Sequence, residues 1–295
     1  MTLFSLANIT IIRGYDGKTR SGGAFLSIII TFVIAFAIWA VLGFRNGWSS
    51  FNQNAVAWFA VAGVLTIFIG RVFLYASIQH LGAVRASAIK RLNPFFSVLL
   101  GVVLLGEAVS GPMMLGMALI CTSFVVLVRQ SLSYAAEDTQ QPEEQSALDR
   151  IINLGYLYGP ISAFAYASGY VARKQGLLIL PDAALGTMVG ALAGIILFLI
   201  TSRFVESYRE DLRKTFSIFN PWLFLAGVFG SLGQLCYFVA LKYSSISKIA
   251  LITSMEVFVT VFLSVVIFRS NEKLTIDIVI AAGLGVLGTV FVILY

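Results

Sequence analysis

The sequence predicts an all-α membrane protein: ten transmembrane helices, the first one truncated, arranged as an inverted 5+5 repeat. Three observations predict it. Of 295 residues, 59% are hydrophobic and 12% charged, where an ordinary soluble domain is roughly a quarter charged. The charges cluster, with four in residues 13–20, six in 137–150 and seven in 203–214. Between the clusters lie long apolar runs of the length that crosses a bilayer, about 20 residues each. Finally, residues 70–128 repeat as residues 233–293.

The predicted spans are 1–12, 23–43, 56–78, 85–105, 111–129, 151–172, 183–202, 221–241, 248–268 and 276–294. Backbone groups in lipid must be satisfied internally, which leaves helices or a closed barrel. A barrel would alternate apolar and polar residues. The run Phe-Leu-Ser-Ile-Ile-Ile-Thr-Phe-Val-Ile from Phe25 has no such alternation. The first span is short. Twelve helical residues reach about 18 Å, against about 30 Å of hydrocarbon. Aligning the first helices of the two halves sets Arg13 on Arg173, so half one is expected to need about ten further residues before Met1.

Two polar stretches separate these runs. Residues 130–150 are acidic, contain Pro142, and read as a flexible linker. They divide the chain into a five-helix half over 1–129 and a second over 151–295. Residues 203–219 are highly charged yet carry Phe204, Tyr208, Leu212 and Phe216 at a spacing of four. That is the pattern of an interfacial amphipathic helix; a solvated loop is the alternative.

The repeat aligns without a gap from Gly70 on Gly233, through Phe95 on Phe258 and Val98 on Val261. After a two-residue insertion Glu107 meets Glu272 and Ser110 meets Thr275. Ser110 and Thr275 can each cap the helix that follows. Because five helices per half is odd, the second half enters the membrane from the opposite side. Inverted repeats of this kind recur in secondary transporters, where two similar bundles exchange inward-open and outward-open shapes.

Composition excludes several other classes. The net charge of +6 is spread over loops of mixed sign, which fits solvated ends near anionic lipid rather than nucleic acid. His80 is the sole histidine, and with Cys121 and Cys236 it cannot make a recognisable zinc site. Both cysteines are expected to be buried packing residues. The N-terminus has no basic region followed by a small-residue cleavage pattern, so no signal peptide is read.

The chain resembles the EamA-type ten-helix transporters of the drug/metabolite transporter superfamily. The likeness is carried by Asn93–Pro94–Phe95, Leu105–Gly106–Glu107 and Gly116, echoed by Glu256–Val257–Phe258 and Asn271–Glu272. The second half lacks the proline. The resemblance implies a ten-helix carrier of small metabolites or drugs, often an exporter, coupled to protons or working by exchange. By analogy with the family, Asn8, Tyr166 and Tyr170 from the first helices of the halves line its cavity.

Charges inside a membrane are costly and mark function by default. The candidates are Arg71, Lys90, Arg91 and Glu256. Arg71 and Tyr75 share a helix face. In helix four, Lys90, Asn93, Ser97 and Gly101 form one polar and small stripe; the aligned stripe in helix nine is Thr253, Glu256, Thr260 and Ser264. Helix eight adds Gly227, Ser231 and Gln234. The predicted substrate-binding set is Arg71, Tyr75, Lys90, Asn93, Ser97, Gln234, Thr253 and Thr260, with Glu256 as a counter-charge or proton-coupling group. Cations opposite one carboxylate suit an anionic or zwitterionic solute.

Structural alternatives stand beside these. Lys90 and Arg91 could snorkel to the interface, and Arg85 could only anchor there. Glu256 could pair with Lys90 or Arg71, and Pro94 could only kink its helix. Gly116, Ala282, Gly285 and Thr289 read as close-packing surfaces.

No catalytic group, metal or cofactor is expected, and the chain does not read as an enzyme. The expected partners are a small-molecule substrate and the lipid bilayer, with no nucleic acid; a homodimer stays open. The alternatives are a non-transporting scaffold or receptor, and a translocator of lipid-like substrates. The expected location is a bacterial-type plasma membrane, multi-pass. The resemblance implies cytoplasmic termini. Loops 13–22, 129–150, 203–220 and 269–275 carry more Lys and Arg than 44–55, 106–110, 173–182 and 242–247, and the charge rule alone points the other way.

Overall fold

In the computed structural model the second helix of each half lies against the other, running in opposite directions. These helices are α2 (Ala24–Asn46) and α8 (Ala183–Ser202). Phe25, at the start of α2, stacks at 4.7 Å on Phe198, near the end of α8. The far end of α2, at Asn46 and Gly47, shares a cavity with Asp182 and Ala183 at the start of α8. An antiparallel pairing of equivalent helices is what an inverted repeat requires.

The structure describes residues 2–14, 23–48, 52–81, 92–106, 110–138, 157–217, 219–254, 256, 259, 263 and 276–294. All regular elements among them are helical. Half one contains α1 (Thr2–Gly14), α2, α3 (Gln53–Gly63), a π-helical segment (Val64–Gly70), α4 (Arg71–Leu81), α5 (Leu92–Leu105) and α6 (Gly111–Asp138). Half two contains α7 (Tyr158–Ile179), α8, α9 (Glu206–Ser217), α10 (Pro221–Tyr243), α11 (Ile246–Ser254) and α12 (Ile276–Leu294). Among the described residues, four helical stretches are long and apolar enough to cross a membrane: Ala24–Asn46, Gln53–His80, Ala183–Ser202 and Pro221–Tyr243. The last three are started by capping side chains. Asn52 accepts from Asn54 and Ala55, Asp182 from Leu185, and Asn220 from Trp222 and Leu223. Each satisfies backbone N–H groups that the first turn cannot.

Packing crosses between the halves. α1 lies on α10 and α7 on α3, so the first helix of each half packs on the third of the other. α6 pairs with α12, where Ser123 Oγ donates to the Ala281 carbonyl at 2.6 Å. Small residues permit the closest approaches. A Cβ on Gly63 would run into the Gly190 backbone, and one on Gly169 into Thr66. Close packing of this kind holds helices together where lipid is as apolar as leucine. The outer faces carry exposed Val33, Phe36, Ile196 and Val239, the surface a hydrocarbon core accepts.

Several expectations need correction. Residues 173–182 were expected as a loop, but α7 runs on to Ile179. Its two charged side chains turn into the bundle: Lys174 Nζ donates to the Leu241 and Ser244 carbonyls at 2.8 and 2.9 Å, and Arg173 is held as described below. α6 continues past residue 129 to Asp138, into the expected linker, because no glycine or proline follows Gly116 before its end. Cys236 is exposed and Cys121 half-buried, so neither is a core residue; Cys236 lies on the outward face of α10. The 203–219 segment is helical over Glu206–Ser217. Tyr208 and Leu212 pack on the core, while Phe204 and Phe216 stay outside.

That segment also carries a residue the pattern did not announce. Asp211 is buried, and its carboxylate accepts from the Gly23 and Phe25 N–H groups at 3.1 and 3.2 Å. A carboxylate from half two thus caps the N-terminus of α2 in half one, where the helix dipole favours negative charge.

Candidate functional site

A set of polar side chains from both halves converges on one narrow cavity. It is lined by α1 (Asn8), α2 (Ser27), α4 (Arg71, Tyr75), α5 (Asn93, Pro94), α7 (Tyr166, Tyr170), α10 (Gln234, Tyr237), α11 (Thr253) and Glu256 just beyond it. Its volume is about 60 Å³, room for a few waters and far below the roughly 300–1,000 Å³ of a typical small-molecule pocket.

Six of the predicted residues meet here: Arg71, Tyr75, Asn93, Gln234, Thr253 and Glu256. Ser97 stands one turn behind the wall and donates to Asn93 Oδ1 at 2.9 Å. Lys90, Arg91, Arg85 and Thr260 lie outside the described residues. Asn8, Tyr166 and Tyr170 line the cavity as well.

Arg71 is 4% exposed. Its Nη1 donates to the Ser27 carbonyl and hydroxyl, each at 2.9 Å, and to Thr31 Oγ1 at 2.6 Å. Thr31 in turn contacts Ser231 at 2.7 Å across the halves. All these partners are neutral, and among the described residues Arg71 has no carboxylate partner. The ion pair of Glu256 with Arg71, left open from the sequence, is therefore not formed.

Glu256 stands on another wall and is 5% exposed. Asn8 Nδ2 donates to its Oε1 at 2.7 Å, and Ser5 Oγ to its backbone carbonyl at 2.8 Å. Thr253 gives its hydroxyl to the Ile249 and Ala250 carbonyls, so it offers the cavity an acceptor rather than a donor. The remaining wall is aromatic, with Tyr170 stacked on Tyr237 at 4.2 Å and Tyr166 beside Tyr170 at 5.9 Å.

One charged residue bordering the site was missed. Arg173 is 1% exposed. Its Nη2 donates to Thr66 Oγ1 at 2.7 Å, and its guanidinium lies 4.6 Å from the Phe238 ring centre. With the Gln234 carboxamide oxygen turned toward it, Nη1 and Nη2 donate to Oε1 at 2.7 and 2.6 Å. Thr66 belongs to the π-helical segment, and such segments often sit at functional sites. The Ala-Arg-Lys-Gln-Gly stretch lowers hydropathy and so reads as a helix end. The available signal was helical period: Gly169, Arg173 and Gly176 fall on one face.

A second cavity, 340 Å³ in volume, opens where α2 and α10 end and α8 begins, beside Trp39, Asp182 and Lys242. It gathers none of the predicted residues. The central cavity is the candidate site because both kinds of charge meet there, together with Asn93 from one half and the aligned Glu256 from the other. Among the described residues no cluster of His, Cys, Asp and Glu could hold a metal ion.

The EamA-like transporter family matches residues 18–129 and 153–294. The chain belongs to the EamA-like transporter family. Two matched stretches in one chain fit the inverted pair of halves, and the family assigns a general transporter role to a multi-pass integral membrane protein. A solved structure described only as "Crystal structure of protein" superposes with a TM-score of 0.64. It is 15% identical over 99% of this chain and 94% of its own, a likeness of fold. No curated protein matches the sequence.

Proposed function

We propose that this protein is a secondary transporter of small organic metabolites that carry a negative charge, or both charges, moved by alternating access. The observation that carries the reading is Arg71. Among the described residues, a guanidinium is buried at the cavity wall with only neutral partners, where an unneutralised charge is expensive. A carboxylate or phosphate group of a substrate supplies the missing anion. Glu256 on another wall accommodates an ammonium group or takes up a coupling proton, and the tyrosine wall packs the organic body.

The narrowness of the cavity supports a cycle in which the halves part to admit the solute. Their contacts run across the repeat, so one half can rock on the other while small-residue crossings such as Gly63 on Gly190 stay in register. In this reading the chain spans a bacterial-type plasma membrane ten times, as halves 1–129 and 151–295 joined by 130–150. Lys90 and Thr260 complete the helix four and helix nine stripes.

The test is uptake and efflux in proteoliposomes against a panel of organic acids, amino acids and nucleosides, with and without a pH gradient. An anionic or zwitterionic compound should be moved, and Arg71→Ala, Lys90→Ala and Glu256→Gln should each reduce its flux. A carrier that moves only cations, or is indifferent to all three changes, would overturn the assignment. Transport of lipid-like compounds alone would favour the translocator alternative.

A further inference from the structure

Arg173 does not line the cavity, yet it grips a residue that does. Its two terminal nitrogens converge on the Gln234 oxygen, and Thr66 and the Phe238 ring hold the guanidinium in place. Turning the carboxamide over would set its N–H₂ against the guanidinium donors, leaving buried polar groups facing their own kind. The amide is therefore fixed in one sense, with Nε2 directed away from Arg173 and toward acceptor atoms.

We propose that Arg173 sets the charge preference of the cavity through Gln234, by holding the carboxamide so that a hydrogen-bond donor, never an acceptor, faces the solute. The repeat register gives this weight. Gly70 aligns with Gly233, so Gln234 occupies in half two the place of Arg71 in half one. One half presents a guanidinium at that position. The other presents an uncharged amide whose polarity is imposed by a guanidinium behind it. The site then has donors at equivalent positions of both halves, suited to the oxygens of a carboxylate or phosphate. Arg173 is a positioning residue and touches no solute. This inference rests on reading the cavity as the transport site.

The test needs no identified substrate. In a Cys121→Ser/Cys236→Ser background, Thr253→Cys places a thiol on the cavity wall. The readout is its labelling rate with anionic sulfonatoethyl methanethiosulfonate, divided by the rate with the cationic trimethylammonioethyl reagent. We expect the anionic reagent to be favoured. Gln234→Glu, which keeps Arg173 paired and so preserves the fold, should lower the ratio about tenfold. Arg173→Gln should lower it as well, and Arg173→Lys should keep most of it.

The decisive arm is a double-mutant cycle. In a Gln234→Ala background Arg173→Gln should have no further effect. An equal drop there would mean that the charge of Arg173 acts directly, and would overturn the proposal. So would a ratio indifferent to Gln234, or a thiol that neither reagent reaches. Where Arg173→Gln does not fold, Arg173→Lys completes the cycle. If labelling behaves as expected but no organic anion is transported, the transport reading fails and the role of Arg173 stands.

Discussion

Asn8 Nδ2 donates to Glu256 Oε1 at 2.7 Å, tying the first helix of one half to the fourth helix of the other across 248 positions of sequence. The same pair of helices is joined by Ser5 and the Glu256 carbonyl. Loss of the Asn8 donor strips a hydrogen bond from a buried carboxylate. Asn8→Leu should cost about 1–3 kcal/mol, read as a lower melting temperature in detergent. Glu256→Gln keeps an acceptor for Asn8 and removes the charge, so it should melt close to the wild type while transport falls. Full transport by Glu256→Gln would take Glu256 out of the site.

The crossing of α3 and α8 has no room for a side chain at Gly63, because the Gly190 backbone occupies that space. Gly63→Ala should destabilise by about 1–3 kcal/mol through forced separation of the helices. Gly111, which has nothing within 4 Å of an added Cβ, supplies the control. Gly111→Ala should leave thermal unfolding unchanged, and equal losses at both positions would argue against the crossing.

Asp211 makes stability depend on pH. Burial pushes its carboxyl above the ordinary 3.8, while the Gly23, Ala24 and Phe25 N–H groups and Lys214 work against that rise. A carboxyl whose folded pKa is raised binds its proton more tightly when folded. Its contribution is therefore greatest at acid pH and is lost as pH climbs from 3.8 through the raised value. The melting temperature of wild type minus that of Asp211→Asn should fall across this window, and a difference that grows with pH would reverse the sign. Asp211→Ala should cost about 1–2 kcal/mol as a lost helix cap.

The antiparallel pairing of α2 and α8 fixes a topology. Gly47, after α2, and Pro181, before α8, line one cavity, whereas Arg203 follows the opposite end of α8. Single cysteines at 47 and 181, in a cysteine-free background, should react with a membrane-impermeant maleimide from the same side. A cysteine at 203 should react from the other side. Labelling of 47 and 181 from opposite sides would contradict inverted insertion of the halves.

Apolar runs and their mutual alignment made the class, the helices and the doubling of the chain legible, because lipid forces every backbone group into a helix and a repeat leaves its spacing in the sequence. Arg71, Asn93, Gln234 and Glu256 were legible for a related reason: a polar residue within an apolar run has few other places to go. Arg173 and Asp211 were not. A charge at the end of an apolar stretch, like Arg173, or within a charged amphipathic segment, like Asp211, looks the same whether it meets water or a neighbouring helix. Only the packing of α7 against the π-helical segment and α10 decided the first, and only the docking of α9 on the start of α2 decided the second. Which polar group faces which is a relation between helices far apart in the chain, and the fold alone specifies it.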